Sequence, residues 1–216
     1  MMKQWLMICF ILFLGQAQAQ FLQDKVSGKY YFHVQSGDVK GSPFLYDDWR
    51  PAFITFANGL QLKNLQLKFD MVNNKPLFLR NDSAFEFVQE LWSFIIYNPG
   101  GDSVVFKNGF EGDNIPLTAF LQVMLEDKLT LLKSQGRSRT ETKGFGVGIT
   151  TIEFNNKPAV FFLAKGNQLV KLKKTDDLAR LMGKDWQQVA DHISLKKLSL
   201  KKEEDLLNIL RFYNSL

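Results

Sequence analysis

The sequence predicts an α+β fold that is mainly β: a twisted antiparallel meander sheet, or a partly closed barrel, with C-terminal helices. Apolar and polar residues alternate with period two from Ala52 to about Val170, which is typical of half-buried strands. Turn-forming residues separate these segments, and after Lys171 the spacing becomes that of amphipathic helices. Connections of hairpin length leave no room for crossover helices, so we expect antiparallel pairing.

The clearest strand pattern lies at 64–72. Four apolar residues alternate there with three polar ones, namely Leu65, Leu67, Phe69 and Met71 with Gln66, Lys68 and Asp70. The pattern therefore predicts an apolar face and a polar face that includes Asp70. Shorter alternation occurs at 84–89 and 121–125, and the apolar runs at 94–97 and 160–163 predict strands buried on both faces.

Residues that favour turns separate the predicted strands. They are Asn58-Gly59, Asn73-Asn74, Asn98-Pro99-Gly100-Gly101, Asn108-Gly109, Glu126-Asp127, Asn155-Asn156 and Gly166-Asn167. The tetrapeptide Asn73-Asn74-Lys75-Pro76 recurs as Asn155-Asn156-Lys157-Pro158, which indicates either a duplicated three-strand unit or two hairpins with the same turn residues. The aperiodic segment 134–148 predicts a long hairpin loop.

Three helices are predicted at the C-terminal end. Thr175 is the expected N-cap of the first, which has an acidic first turn and ends before Gly183. The second spans 185–193 and the third runs from about 202 to 213, each with one apolar stripe. These stripes need a surface to cover, so we expect an antiparallel β domain at 20–173 and a helical segment at 174–216 packed on the sheet.

The first twenty residues have the order of a secretory signal peptide. A basic start at Lys3 precedes an apolar run and the small residues Ala17-Gln18-Ala19, which match an A-x-A cleavage site. The apolar run of about ten residues is too short for a bilayer-spanning helix, which needs about 20. We therefore expect 1–19 to be a signal peptide and the protein to be periplasmic, outer-membrane-associated or secreted.

Several classes of chemistry are disfavoured by the residues that are missing. Cys9 is the only cysteine and lies in the predicted signal peptide, so the mature chain would have no disulfide and no thiolate nucleophile. His33 and His192 are far apart and have no neighbouring ligand, so we predict no metal site and no cofactor. No G-x-S-x-G elbow occurs, and the glycines of 144–148 precede strand-forming residues rather than the helix that a phosphate loop requires.

One cluster combines aromatic surfaces with charges, as carbohydrate and peptide sites do. The candidate binding residues are Tyr46, Asp47, Asp48, Trp49 and Arg50. The alternative interpretation is that Phe44 and Trp49 anchor an N-terminal segment onto the sheet.

Basic residues are grouped near the C-terminal end. The groups are Lys171-Lys173-Lys174, Lys196-Lys197 and Lys201-Lys202. If they converge they would suit anionic lipid headgroups or acidic polymers; alternatively they form a solvated face. The sequence allows three kinds of partner: an envelope polymer, a lipid surface and another envelope protein. Nucleic acid is disfavoured as a partner by the mild formal charge of +5.

The order of short motifs resembles that of a known group of proteins. The segments that carry the resemblance are Gly41-Ser42-Pro43-Phe44-Leu45, Asp47-Asp48-Trp49, the paired hairpins after them, and a lysine-rich tail ending in Arg211-Phe212-Tyr213-Asn214-Ser215-Leu216. In this order they are similar to segments of exported proteins of unknown function from Bacteroidetes-type bacteria. The resemblance spans most of the mature chain. It implies an envelope location and brings no activity or binding residues with it.

A full-sized core without a catalytic constellation favours a non-enzymatic binding or envelope-associated module. The alternative is an envelope hydrolase with dispersed carboxylates, in which Asp47 or Asp48 meets Glu86 or Glu90 at about 5 to 9.5 Å. A third hypothesis, suggested by the 20 phenylalanines, is a structural subunit of an assembly.

Overall fold

The computed structural model describes residues 26–31, 38–143 and 150–216. The predicted signal peptide, His33 and the glycines of 144–148 lie outside these ranges. The described strands are β1 (Gly28–Tyr30), β2 (Asp38–Lys40), β3 (Arg50–Phe56), β4 (Gln61–Asp70), β5 (Lys75–Arg80), β6 (Ser83–Phe87), β7 (Leu91–Tyr97), β8 (Ser103–Lys107), β9 (Leu121–Leu125), β10 (Thr130–Ser134), β11 (Arg137–Lys143), β12 (Thr150–Asn156), β13 (Val160–Lys165) and β14 (Gln168–Lys171).

Most described strands belong to one antiparallel sheet, in the order β1-β6-β5-β4-β3-β7-β8-β9-β10-β13-β14. Consecutive strands β3 to β6 form one meander and β7 to β10 form another. The two meanders join where β7 pairs with β3. The sheet is open, because β1 and β14 are its edges. The α+β, mainly β prediction is confirmed.

The large sheet is strongly curled. Only residues 88–90 connect β6 to β7, although β5, β4 and β3 lie between them in the sheet. In a flat sheet with strands about 4.8 Å apart, β6 and β7 would be about 19 Å apart, more than this link spans at about 3.5 Å per residue. The curl brings the rings of Phe56 and Phe87 to a centroid distance of 6.0 Å, and the Ala57 N–H donates to the Glu90 carbonyl at 2.9 Å.

An aromatic core fills the inside of the curl. The ring of Phe69 lies 5.3 Å from that of Phe94 and 4.7 Å from that of Phe106. Phe78 and Phe87 are 4.7 Å apart on the opposite wall. The inward rows of both meanders therefore share one core, as the alternation at 64–72 predicts for Leu67 and Phe69.

Three helices follow the sheet: α1 (Thr175–Met182), α2 (Trp186–Lys196) and α3 (Glu203–Ser215). Leu178, Val189 and Leu210 pack with Leu131 of β10 and Leu163 of β13. Among the described residues, no helix is both long enough and apolar enough to cross a membrane.

The start of α1 differs from the prediction by one residue. Thr175 is the first helical residue, and Lys174 occupies the N-cap position. The reason is the carboxylate of Asp177, which accepts the backbone N–H groups of Lys173 and Lys174 at 2.9 and 3.0 Å. Asp177 thus makes the half of a capping box in which the carboxylate of the third helical residue reaches back to the N-cap backbone N–H.

The apolar runs at 94–97 and 160–163, both predicted to be buried on two faces, differ in their burial. β13 is covered on both faces, since Leu163 packs under the helices and Phe162 packs in a separate cluster. The same prediction is wrong for 94–97 of β7, where Ile95 is half-buried and Tyr97 is 42% exposed; Trp92, before this run, is exposed as well. The inward face of β7 meets the phenylalanine core, whereas its outward face is solvated at both ends.

A smaller sheet of described strands has the order β11-β12-β2. The predicted loop at 134–148 is therefore wrong for β11, which pairs with β12 over seven residues. β11 carries polar side chains on both faces, so hydrophobic periodicity cannot reveal it. β2 pairs with β12 in parallel, contrary to the all-antiparallel expectation, because strands so far apart in sequence are not constrained by a short turn.

The repeated tetrapeptides adopt different structures. Asn74 lies in a β4–β5 turn with φ 55°, and Lys75 begins β5. Asn155 and Asn156 instead end β12, which belongs to a different sheet from the following β13. The prediction of a turn at Asn155-Asn156 is wrong, and the different structures favour reuse of the same residues over a duplicated unit.

Asp70 is fully buried, although alternation predicts it on the polar face. Its carboxylate accepts four hydrogen bonds: from the Tyr31 hydroxyl at 2.9 Å, the Asn73 amide side chain at 2.7 Å, and the backbone N–H groups of Val72 and Asn73 at 2.9 and 3.0 Å. Burial, followed by the charge of Asp70, raises the pKa of the Tyr31 hydroxyl. Asp70 therefore holds the β4–β5 turn against the segment before β2.

Candidate functional site

The structure brings together three of the five predicted site residues. The guanidinium carbon of Arg50 lies 3.4 Å from the Tyr46 ring centroid, and its Nε lies 3.1 Å from Asp48 Oδ2. Arg50 Nη1 also donates to Asn98 Oδ1 at 2.6 Å. The hydrogen bond from Arg50 lowers the pKa of the exposed Asp48 carboxyl. Arg50 thus connects this segment to the β7–β8 turn through its Nε and Nη1.

The other two predicted residues have separate surroundings. Asp47 lines an open polar cavity with Ser42, Arg137 and Asn156. Trp49 contacts Lys68, whose ammonium lies 5.2 Å from the indole ring. The five consecutive residues therefore do not line a single site.

The carboxylates named in the hydrolase hypothesis are also divided. Glu86 and Glu90 line one cavity, Asp47 lines another, and Asp48 is paired with Arg50. Among the described residues, no group of three His, Cys, Asp or Glu side chains is placed to hold a metal ion.

A partly open cavity lies at the mouth of the curl, between β5, β6, the 88–90 link and the 108–120 loop. We call it the mouth cavity; its volume is about 440 Å³. Its principal lining side chains are Lys75, Glu86, Phe87, Glu90, Asn108 and Phe120. Concave sites that combine aromatic surface with a few polar groups are the usual location of small-ligand binding.

Two asparagines fix the 108–120 loop as a wall of this cavity. Asn74 Oδ1 accepts the Phe120 N–H at 2.7 Å, and Asn74 Nδ2 donates to the Phe120 carbonyl at 3.0 Å. The buried Asn108 donates from Nδ2 to the Leu91 carbonyl at 2.8 Å. Both ends of the loop are therefore attached to strands that also line the mouth cavity.

The middle of the loop is attached to β14. The Glu111 N–H donates to the Asn167 carbonyl, and the Leu169 N–H donates to the Glu111 carbonyl, each at 2.8 Å. At Gly112, which has φ +139°, an added Cβ would lie 2.3 Å from the Leu169 carbonyl oxygen. Only glycine fits this close approach of two backbones.

The mouth cavity has an aromatic surface and an excess of negative charge. Lys75 Nζ and Glu86 Oε2 are 2.7 Å apart, so their charges compensate each other. Glu90 is exposed, and within the described ranges its carboxylate has no ion-pair partner. The site therefore suits a ligand with an apolar body and a cationic or hydrogen-bond-donating group.

The mouth cavity is not evident from the sequence. Its lining comes from β5, β6, the 88–90 link and the 108–120 loop, and the one short motif that contributes to it, Asn73-Asn74-Lys75-Pro76, predicts only a turn. One available signal was the aperiodic stretch 108–120, which carries Gly109, Gly112 and Pro116. Long loops within compact domains are often functional.

Comparison of the chain with protein families, with curated proteins and with solved structures found no match. The resemblance to exported Bacteroidetes-type proteins therefore stays a prediction.

Proposed function

We propose that the protein is an exported, non-enzymatic binding module whose ligand occupies the mouth cavity. The observation that carries the proposal is a partly open cavity of about 440 Å³ whose polar wall bears Lys75, Glu86 and Glu90 beside the rings of Phe87 and Phe120. The ligand class is a small molecule, or the end of a peptide, with an apolar group and an amine.

Binding is proposed in preference to hydrolysis because of how the acids are distributed. A hydrolase with two carboxylates needs both acids on one substrate bond. Glu86 is neutralised by Lys75 at 2.7 Å, which leaves Glu90 as the unpaired acid. Neither Asp47 nor Asp48 lines the mouth cavity.

The proposal is tested by titrating the isotope-labelled protein with phenethylamine and, separately, with phenylacetate. The two fragments have similar aromatic bodies and opposite charges. We expect phenethylamine to shift the backbone amide signals of Val88, Leu91 and Ala119, and phenylacetate to shift them much less. Shifts that are absent from these residues, or equal for the two fragments, would contradict the proposed ligand class.

A cavity-filling variant provides the matched control. Ala119 lines the mouth cavity, so Ala119→Phe is expected to abolish the phenethylamine shifts. Ala159 lies exposed in the β12–β13 connection, and Ala159→Phe is expected to leave them unchanged. If both variants retain the shifts, the fragment binds elsewhere.

Export is tested separately. The full chain is expressed in a Gram-negative host, and the periplasmic fraction is analysed by intact mass. We expect a mature chain that begins at Gln20. An uncleaved chain found only in the cytosol would contradict export and leave the cavity proposal standing.

A further inference from the structure

Four lysines cluster at the corner between α2 and α3. Lys196 ends α2, Lys197 follows it in the left-handed conformation with φ 52°, and Lys201 and Lys202 precede α3. We call Lys196, Lys197, Lys201 and Lys202 the lysine corner. All four are exposed.

The backbone of this corner is held in place. Leu198 and Leu200 pack against the helical core. The Ser199 N–H donates to Asp205 Oδ2 at 2.9 Å, and the Leu198 N–H donates to the Ile193 carbonyl at 3.0 Å. The two leucines anchor the middle of the connection to the core, and the lysine pairs on either side of them face solvent.

The positive charge of the corner is not compensated by ion pairs. Within the described ranges, none of its four ammonium groups lies in a salt bridge. Of the acids that begin α3, Glu203 pairs with Lys133 at 2.8 Å and Asp205 accepts the Ser199 N–H. Glu204 is the remaining exposed acid, so the corner keeps a positive excess.

An apolar side chain lies directly beside these charges. Leu195 is 83% exposed, although residues on its helix such as Val189 are buried. It lines a shallow groove with Asp191, His192 and Phe212, in which the rings of His192 and Phe212 stack at 4.0 Å; the single acid of the groove leaves the four lysines in excess. An exposed leucine next to several lysines is the combination that binds the interface of an anionic bilayer, where ammonium groups meet phosphates and the apolar group enters the headgroup region.

We propose that the lysine corner and Leu195 form a docking surface for an anionic phospholipid bilayer. The occupant is a membrane surface rather than a soluble polyanion, because a bilayer would bury the exposed leucine whereas a polyanion offers it no apolar contact. The proposal is independent of the mouth cavity, because neither Leu195 nor any residue of the lysine corner lines that cavity.

The test is co-sedimentation of the full mature chain with vesicles of phosphatidylglycerol and phosphatidylcholine, compared with vesicles of phosphatidylcholine alone. We expect binding to the anionic vesicles only, and weaker binding as salt is raised. In Lys197→Gln/Lys201→Gln the affinity is expected to fall by about fivefold for each lysine removed. The matched control is Lys63→Gln/Lys165→Gln, which removes the same charge from exposed positions on β4 and β13.

Two further variants separate a bilayer from a soluble polyanion. Leu195→Ser is expected to weaken vesicle binding and leave heparin binding unchanged, whereas Leu117→Ser, at another exposed leucine, changes neither. Thermal unfolding of each variant shows that it is folded. The proposal is overturned if the control pair loses as much vesicle affinity as the corner pair, if Leu195→Ser has no effect, or if neither vesicle type binds the folded protein.

Discussion

Replacement of Asn74 by alanine tests whether the side-chain bridge to Phe120 holds the cavity wall. The variant loses both hydrogen bonds, at 2.7 and 3.0 Å, and each such bond contributes about 1 kcal/mol. It also places alanine at φ 55°, which costs about 1 kcal/mol more. We therefore expect the free energy of unfolding to fall by about 3 kcal/mol.

Asn81→Ala separates the two contributions. Asn81 lies in the β5–β6 turn at φ 47° and is exposed, so its replacement carries the backbone cost without the bridge. We expect it to lose about 1 kcal/mol, and the difference between the variants to report the two hydrogen bonds. The assay is urea unfolding followed by tryptophan fluorescence, with amide exchange at Phe120 as a local measure. Equal losses in the two variants, or unchanged exchange at Phe120 in Asn74→Ala, would refute the reasoning.

Three further changes have defined outcomes. Gly112→Ala should destabilise the fold by about 1 to 3 kcal/mol in urea unfolding, because its Cβ meets the Leu169 carbonyl, whereas Gly100→Ala, with open space around it, should change stability little. Folding raises the pKa of the Tyr31 hydroxyl above its ordinary value of about 10, so the unfolded chain loses this proton at a lower pH than the folded protein does. The free energy of unfolding should therefore fall as the pH rises above about 10. Tyr31→Phe should reduce this fall, measured as urea unfolding curves at pH values below and above the ordinary pKa of tyrosine. Asp70→Asn should cost at least about 2 kcal/mol, because the amide nitrogen cannot accept from the donors around it, and a melting temperature equal to that of the unchanged protein would show that these bonds contribute little.

Local periodicity was sufficient to predict the sheet. Leu67 and Phe69 alternate with polar residues and do face the core. Asp70 continues the same alternation, yet it is buried because Tyr31, which is 39 positions away, supplies a hydrogen bond that no local pattern contains. β11 was missed for the opposite reason: its pairing depends on backbone hydrogen bonds and not on an apolar face.

The candidate site was harder to predict for a geometric reason. Residues 45–48 form consecutive bends and β3 begins only at Arg50, so this segment has no regular face on which all five side chains could meet one ligand. The mouth cavity instead combines segments separated by many residues, among them Lys75, Glu90 and Phe120. Their proximity depends on the curl of the sheet, which follows from the order of the strands and not from the pattern of any one strand.

The link at 88–90 is shorter than the distance that a flat sheet would require it to cross. Its Val88 N–H donates to the Ser27 carbonyl at 3.1 Å, and its Glu90 carbonyl accepts the Ala57 N–H at 2.9 Å. Lengthening it would disturb these two hydrogen bonds, while the β3–β7 pairing and the shared phenylalanine core still hold the two meanders together. Extra glycines at that point would therefore alter the mouth cavity, which Val88, Gln89 and Glu90 line, without unfolding the domain. The shape of this cavity is in this sense set in part by the length of one connection.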